Sequence, residues 1–436
     1  MKDRIHAFNV YVTVFAILSF SCGGFLISHS NAQENWPGFC YDPQHTGFSP
    51  SLLSNETEVL WTYNTSGAVI SSPAIVNDLV YVGADDGWVY ALEKDSGNLS
   101  WKFETKGAVK SSPLVSGDMV YVGSNDGRLY ALSTNSRDEL WNFSTGAEIE
   151  SSPTLWEGKV LFGSYDGVFY AINASSGQME WSYDTGNYIL AAAAASNDTA
   201  LIGGCDGIIR SYDTNSGDVN WEYDSGDFIV ASPSIYRQRV YFGNHGQQMF
   251  CLDLATGDPL WNISLGGVTV STATAAYGMI YFGCRDNKVR ALDAETGQQQ
   301  WEFEANQIVD ASPSIAHGMV FVGSSDGIFY TLNATSGKLI WSYVIGGEIK
   351  SSAAISDSYM IVGSSSNSIH AFYSPYLADD GENDTEPDGN NQTEDGENIG
   401  GMLLLTGVVV VISVTLVVAT VNALKNRSEK EKKKKE

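Results

Sequence analysis

Three kinds of residue are scarce in this chain of 436 residues, and each scarcity removes a class of function. Its six histidines (His6, His29, His45, His245, His317 and His370) are scattered without the spacing a zinc site needs. Its five cysteines include no adjacent pair, and beyond the N-terminal segment only Cys40, Cys205, Cys251 and Cys284 remain. Those four allow three pairings, which the sequence leaves open, and they form no disulfide framework. Cys251 stands in a column that holds Ala at 91, 131, 171, 291 and 371, the place of a small buried side chain. Lysine and arginine number 24 against 51 aspartates and glutamates, and between 33 and 424 the balance is 15 to 47. So acidic a surface argues against nucleic acid and against lying flat on anionic lipid, and it suits a saline exterior. Also missing are a 3.6-residue apolar period within the repeats, a P-loop, a nucleophile elbow and a paired-carboxylate motif.

What the chain does have is a ladder of tryptophans at a step of 40 residues: Trp61, Trp101, Trp141, Trp181, Trp221, Trp261, Trp301 and Trp341. A fixed period of this size, free of insertions, signals a repeat architecture and leaves little chain for a catalytic pocket. Each unit holds four short apolar runs, in the first case AVISSPAIV (68–76), LVYVG (79–83), WVYAL (88–92) and NLSWKFE (98–104). They are rich in β-formers and bounded by turn residues, the strand signature. Asp-Gly at 86–87, 126–127, 166–167, 206–207 and 326–327 supplies hairpin turns, and Ser-Gly or Thr-Gly marks the next turn.

Four antiparallel strands per repeat describe a propeller blade. Eight inner-strand signatures, from SSPA at 71 to SSAA at 351, predict an all-β, eight-bladed β-propeller over 55–376. A parallel β-helix is the alternative, but its usual coil is shorter. Trp61 precedes the first inner strand, and no tryptophan lies forty residues after Trp341. The strand around Trp61 is therefore expected to be the outermost strand of blade eight, closing the ring. A ring recurring identically in every blade is expected to fill the wedge between sheets, so no tryptophan is a site candidate.

The ends predict a topology. Residues 1–32, with Lys2 and Arg4 ahead of an apolar run and small residues before Gln33, read as a secretory signal peptide; an uncleaved anchor is the alternative. Cys22 invites a lipobox reading that Phe20 fits poorly. A lead-in (33–54) precedes the ring. After it, an acidic spacer (377–400) precedes an uncharged stretch at 402–424, long enough for a transmembrane helix over 401–424. The basic tail, 425–436, places that end in the cytoplasm and the propeller outside the cell membrane, single-pass. Asn-x-Ser/Thr sequons at Asn55, Asn64, Asn98, Asn142, Asn173, Asn197, Asn262, Asn333, Asn383 and Asn391 are glycosylation candidates.

The blade text, typified by SSPLVSGDMVYVGSNDGRLYALSTNSRDELW (111–141), resembles the pyrroloquinoline-quinone (PQQ) type propeller repeat, and WPGFCYDPQHTGFSP (36–50) resembles that superfamily's lead-in. The resemblance covers 36 to about 376. It implies either a quinoprotein dehydrogenase holding PQQ and calcium at the ring centre, or a non-catalytic propeller such as the lipoprotein of the outer-membrane β-barrel assembly machinery. The dehydrogenases carry insertions, an acidic ligand set and often a vicinal disulfide, none of which is evident here. Asp86, Asp126, Asp166, Asp206, Asp286 and Asp326 recur at turn positions, which hairpin chemistry explains better than calcium.

Function is expected where the repeat varies. The start of the inner strand reads Ile70, Lys110, Glu150, Leu190, Val230, Val270, Asp310, Lys350, and two residues earlier Ala68, Ala108, Glu148, Tyr188, Phe228, Val268, Ile308, Glu348. Second-hairpin tips read Asp85, Asn125, Tyr165, Cys205, His245, Arg285, Ser325, Ser365. Blade four also replaces SSP with AAAAA at 191–195. Tyr165, Tyr188, Leu190, Phe228, Val230, His245, Val270 and Arg285 are expected to border a surface for a protein, peptide or glycan partner. The expectation is thus a membrane-anchored, non-enzymatic binding or scaffold module with no cofactor and no metal. The rivals are a PQQ-dependent oxidoreductase and a receptor ectodomain working with a co-receptor.

Overall fold

Eight antiparallel sheets make up most of residues 34–375, the part of the chain that the computed structural model describes. The expected signal peptide, spacer, membrane-spanning segment and tail lie outside the described residues, as do Asn383 and Asn391. Among the described residues there is no helix. Blade one runs outward through Ala74–Val76, Leu79–Gly83, Trp88–Glu93 and Leu99–Glu104, and blades two to seven repeat it. Blade eight takes Ala354–Ser356, Tyr359–Ser364 and Ser368–Pro375 from one end of the ring sequence and Leu53–Asn64 from the other. Trp61 faces Ala371 there, just as Trp101 faces Ala91 in blade one. The closing strand thus occupies the expected place and register, and it covers an edge that would otherwise be open.

The innermost strand is shorter than its apolar run suggests. Only Ala74–Val76 of 68–76 is strand, because serine hydroxyls take over the backbone bonding ahead of it. Ser71 Oγ both accepts from Gly83 N–H and donates to Gly83 O. Ser72 N–H donates to Ser112 Oγ at 2.9 Å, Ser112 N–H to Ser152 Oγ at 3.0 Å, and Ser352 N–H to Ser72 Oγ at 3.0 Å. The SSP signature is therefore an axial girdle of bonds, made at five of the eight junctions between blades. Blade four carries Ala191 and Ala192 in these places, so Ser152 N–H meets no hydroxyl there.

Six of the eight tryptophans share one packing arrangement. A β-bulge at the residue before each one turns its ring toward the next blade. Trp61, Trp141, Trp181, Trp221, Trp261 and Trp301 each donate the indole N–H to a carbonyl 33 residues on, at 2.7–3.2 Å. Under each of those rings lies a glycine at positive φ. A Cβ on Gly257, for example, would stand 2.6 Å from Trp221 Cδ2. Blade two has Arg137 in the glycine's place, at φ 66°, and Trp101 Nε1 is buried without a partner.

The lead-in, expected as a segment ahead of the ring, threads into it. Trp36 exchanges both backbone bonds with Ile75, at 2.7 and 2.8 Å. Val115, Ala195, Ile235, Ala275 and Ile315 donate to the carbonyls of Pro37, Pro43, Gln44, Thr46 and Gly47 at 2.7–2.8 Å. Phe48–Ser49 then pairs in parallel with Ser314–Ala316. The segment thereby satisfies the inward-facing N–H groups of six blades and plugs the ring near the first-hairpin turns. Gly47 must be glycine: its φ is +64°, and a Cβ would stand 2.4 Å from Thr274 Cγ2. Among the described residues no such bond reaches Leu155 of blade three, beside a cleft of about 160 Å³.

Candidate functional site

At the other end of the ring the variable columns meet. In every blade the second-hairpin tip donates its N–H to the carbonyl of the residue two before the inner column. Asp85 reaches Ala68, Tyr165 Glu148, Cys205 Tyr188, His245 Phe228 and Arg285 Val268, each at 2.9 Å. These positions therefore form a rim around the open mouth, held by loop hydrogen bonds and not by a shared strand face.

How the rim loops are fastened differs between blades. In blades one, two, three and seven the turn aspartate holds the loop down. Asp86 Oδ1 accepts from Trp88 N–H at 3.1 Å, while Oδ2 accepts from Ser66 N–H at 2.9 Å and from the Tyr90 hydroxyl at 2.7 Å. Asp126, Asp166 and Asp326 repeat the pattern with Tyr130, Tyr170 and Tyr330. Burial, then the aspartate, raises the pKa of each of these tyrosines. The carboxylates are saturated by their own turns, as hairpin chemistry requires.

Blades four and five are fastened differently. Their loops, Asp184-Thr185-Gly186-Asn187-Tyr188 and Asp224-Ser225-Gly226-Asp227-Phe228, tie back on themselves. Gly186 and Gly226, at φ 75° and 82°, donate to Asp184 and Asp224 Oδ1 at 2.8 Å. Tyr188 N–H donates to Asn187 Oδ1 at 2.9 Å, and Phe228 N–H to Asp227 Oδ1 at 2.8 Å. Both aromatic side chains then project outward, 55% and 50% exposed. Tyr165 lies 5.4 Å from Tyr188, centroid to centroid, and His245 lies 6.1 Å from Phe228. Leu190, Val230 and Val270 sit half-buried in the column beneath. Asn187, Asp227 and the two glycines escaped the sequence reading, although the pattern Asp-Ser/Thr-Gly-Asn/Asp-aromatic, repeated forty residues apart, was there to find.

Three ion pairs, Lys110–Glu150, Arg285–Asp310 and Lys350–Glu348, hold other rim positions. Glu150 accepts from Lys110 Nζ at 2.8 Å, the Tyr165 hydroxyl at 2.9 Å and Asn125 Nδ2 at 3.3 Å. The bond to Glu150 raises the Lys110 pKa, while burial and then Glu150 raise that of Tyr165. Arg285, expected beside the aromatic arc, instead reaches Asp310 of the next blade with two bonds of 2.8 and 3.0 Å. A calcium-bound quinone would need several acidic ligands converging on one point, and these residues do not fit that demand. Glu150 and Asp310 are neutralised by bases, the turn aspartates are consumed, and among the described residues no three His, Cys, Asp or Glu side chains converge.

Cys40, Cys205, Cys251 and Cys284 are all free thiols. Burial pushes the pKa of Cys251 and Cys284 up to about 11 and that of Cys40 well above its ordinary value, so these three are held as unreactive thiols. Of the sequons, Asn55, Asn64, Asn98, Asn142, Asn197 and Asn262 are exposed. Asn173 and Asn333 are half-buried, and each Oδ1 accepts two turn N–H groups. Asp213 does the same in its own blade, so turn chemistry accounts for those two asparagines.

The fold and this mouth define a class: an eight-bladed propeller of PQQ-type repeats, plugged at one end and varied at the other. The family model described as outer membrane protein assembly factor BamB matches residues 52–112, 85–227 and 205–374, and the chain belongs to that family. No curated protein matches the chain. Among solved structures it is similar to BamB from Moraxella catarrhalis, with a TM-score of 0.65 and 19% identity over 73% of this chain and 100% of that one. It is also similar to a quinohemoprotein alcohol dehydrogenase from Pseudomonas putida, with a TM-score of 0.69 and 14% identity over 85% and 84% of the two chains. A europium-containing methanol dehydrogenase gives 0.68 and 13%, over 78% of this chain and 98% of that one. At such identities the likeness establishes the fold, which an assembly factor and dehydrogenases share.

Proposed function

We propose that this protein is a non-enzymatic docking propeller, anchored in the cell membrane with its ring outside, that holds a protein partner on its variable mouth. The observation carrying the proposal is the pair of self-tied loops in blades four and five, which present Tyr188 and Phe228 to solvent while the turn aspartates of four other blades hold their loops down. An apolar, aromatic patch with a polar rim is the anatomy of an interface. Membership of a family named for an assembly factor points the same way. The described chain leaves the ring at Pro375, paired with Leu53 at the plugged end.

A photo-crosslinking residue placed at 188 or 228 in the full chain tests this. It should trap a discrete protein partner in the source cells, whereas the same residue at 277, exposed at the plugged end, should not. Equal trapping at all three positions would remove the proposal. The oxidoreductase reading makes a separate demand, since added PQQ and calcium would have to produce cofactor absorbance and dye reduction.

A further inference from the structure

We infer that the occupant of the aromatic mouth is a cationic protein segment, one that lays lysine or arginine side chains across Tyr188 and Phe228; the inference rests on the docking reading above. Two exposed ring faces on neighbouring blades offer the negative side of their quadrupoles to solvent. Each ring stands in a loop whose own backbone is capped from within, so the ring is presented and not folded down.

The charge around the rings has one sign. Glu148, Asp184, Asp224 and Asp227 are all exposed, and none of them is in an ion pair with a described lysine or arginine. Elsewhere in blades three to five, Arg210 is buried and already held by Asp206 and Glu222. The nearest rim bases on either side, Lys110 and Arg285, are neutralised by Glu150 and Asp310. An anionic partner on blades four and five would therefore meet four carboxylates without an ion pair, while the exposed, unpaired rim lysine, Lys106, stands away in blade two. A neutral apolar partner would use the rings but leave the carboxylates without a role. A segment with basic residues next to apolar ones satisfies both, with the rings as anchors and the carboxylates as rim.

The test uses the full chain in detergent and three fluorescent twelve-residue peptides that alternate leucine with arginine, glutamine or glutamate. The arginine peptide should bind, at least tenfold more tightly than the glutamate peptide, and should weaken about tenfold between 50 mM and 500 mM salt. Binding should fall at least fivefold in Y188A/F228A and in E148Q/D227N. It should stay unchanged in D258N/E295Q, which removes two exposed carboxylates elsewhere. Absence of arginine-peptide binding, or equal loss in D258N/E295Q, overturns the inference. If the glutamine peptide binds equally well and is lost in Y188A/F228A, the cationic partner falls and the docking mouth stands. If all three peptides bind but none responds to Y188A/F228A, the docking mouth itself falls.

Discussion

Blade two contains a defect whose repair has a calculable effect. Where six blades place a glycine at φ 68–77° beneath the tryptophan of the preceding blade, blade two has Arg137 at φ 66°. Trp101 is 6% exposed, and its indole N–H is the one in the ladder buried without an acceptor. A side chain in the left-handed region costs roughly 1–2 kcal/mol. An orphaned buried donor costs roughly a further 1–3 kcal/mol. Arg137→Gly removes the first and lets the ring drop onto the Thr134 carbonyl, the position its counterparts use. Against this stands the greater freedom of glycine in the unfolded chain, roughly 0.5–1 kcal/mol. The exposed 3.5 Å bond from Arg137 to Ser100 O is also lost, at small cost. The net expectation is stabilisation by about 1–3 kcal/mol, or roughly 1–4 °C in Tm at the unfolding entropy of a ring this size. Gly257→Ala imposes the same defect on Trp221 and should destabilise by about 3 kcal/mol. Thermal unfolding of both variants beside the parent, followed by circular dichroism, reads the outcome. If R137G is neutral or less stable while G257A is tolerated, the glycine–indole lock is not what holds neighbouring blades together.

Other expectations follow from the same bonds. Ala192→Ser supplies the hydroxyl missing from the axial girdle and should raise stability by about 1 kcal/mol; an unchanged urea midpoint would count against the girdle. His45 is fully buried with Nδ1 2.9 Å from Pro233 O, and burial pulls its pKa down to about 4; His370 is likewise at about 4. A histidine depressed in the folded state is protonated first in the unfolded chain. Stability should therefore fall as pH drops from about 6.5 to about 4, by up to about 1.4 kcal/mol per pH unit for each histidine, and not further on their account below that. His45→Asn keeps a donor for Pro233 O and suits the local φ of 58°, so it should remove about half of that slope in urea titrations across this range. Glycopeptide mass spectrometry from a glycosylating host should find Asn142 and Asn262 occupied and Asn173 and Asn333 bare, because the latter hold their turns; the reverse pattern would refute the turn assignment.

Much of this was legible in the repeat. A period of 40 with no insertion lets every column be compared, so blade number, the closing role of Trp61 and the packing role of the ladder could all be reasoned from spacing. The columns also picked out residues that the structure brings together on the rim, since variation in an otherwise fixed repeat stands out. Their fastening was not legible. Whether Asp86 ties down Ser66, or Asp184 caps its own Gly186, depends on distances across a loop that residue type alone does not convey. Arg285 was grouped with the aromatic arc by its column, but it turns to Asp310 because a carboxylate on the next blade lies within reach.

The sequence alone thus determined the ring: strand period, turn chemistry and a tryptophan metric are local properties, repeated eight times. Tertiary structure decided what fills the ring and what it presents. The lead-in carries no strand period of its own and becomes a plug only because the inward-facing N–H groups of six blades converge on the axis and need acceptors. Likewise Tyr188 and Phe228 stand on the same mouth only because the curvature of the ring brings there loops forty residues apart.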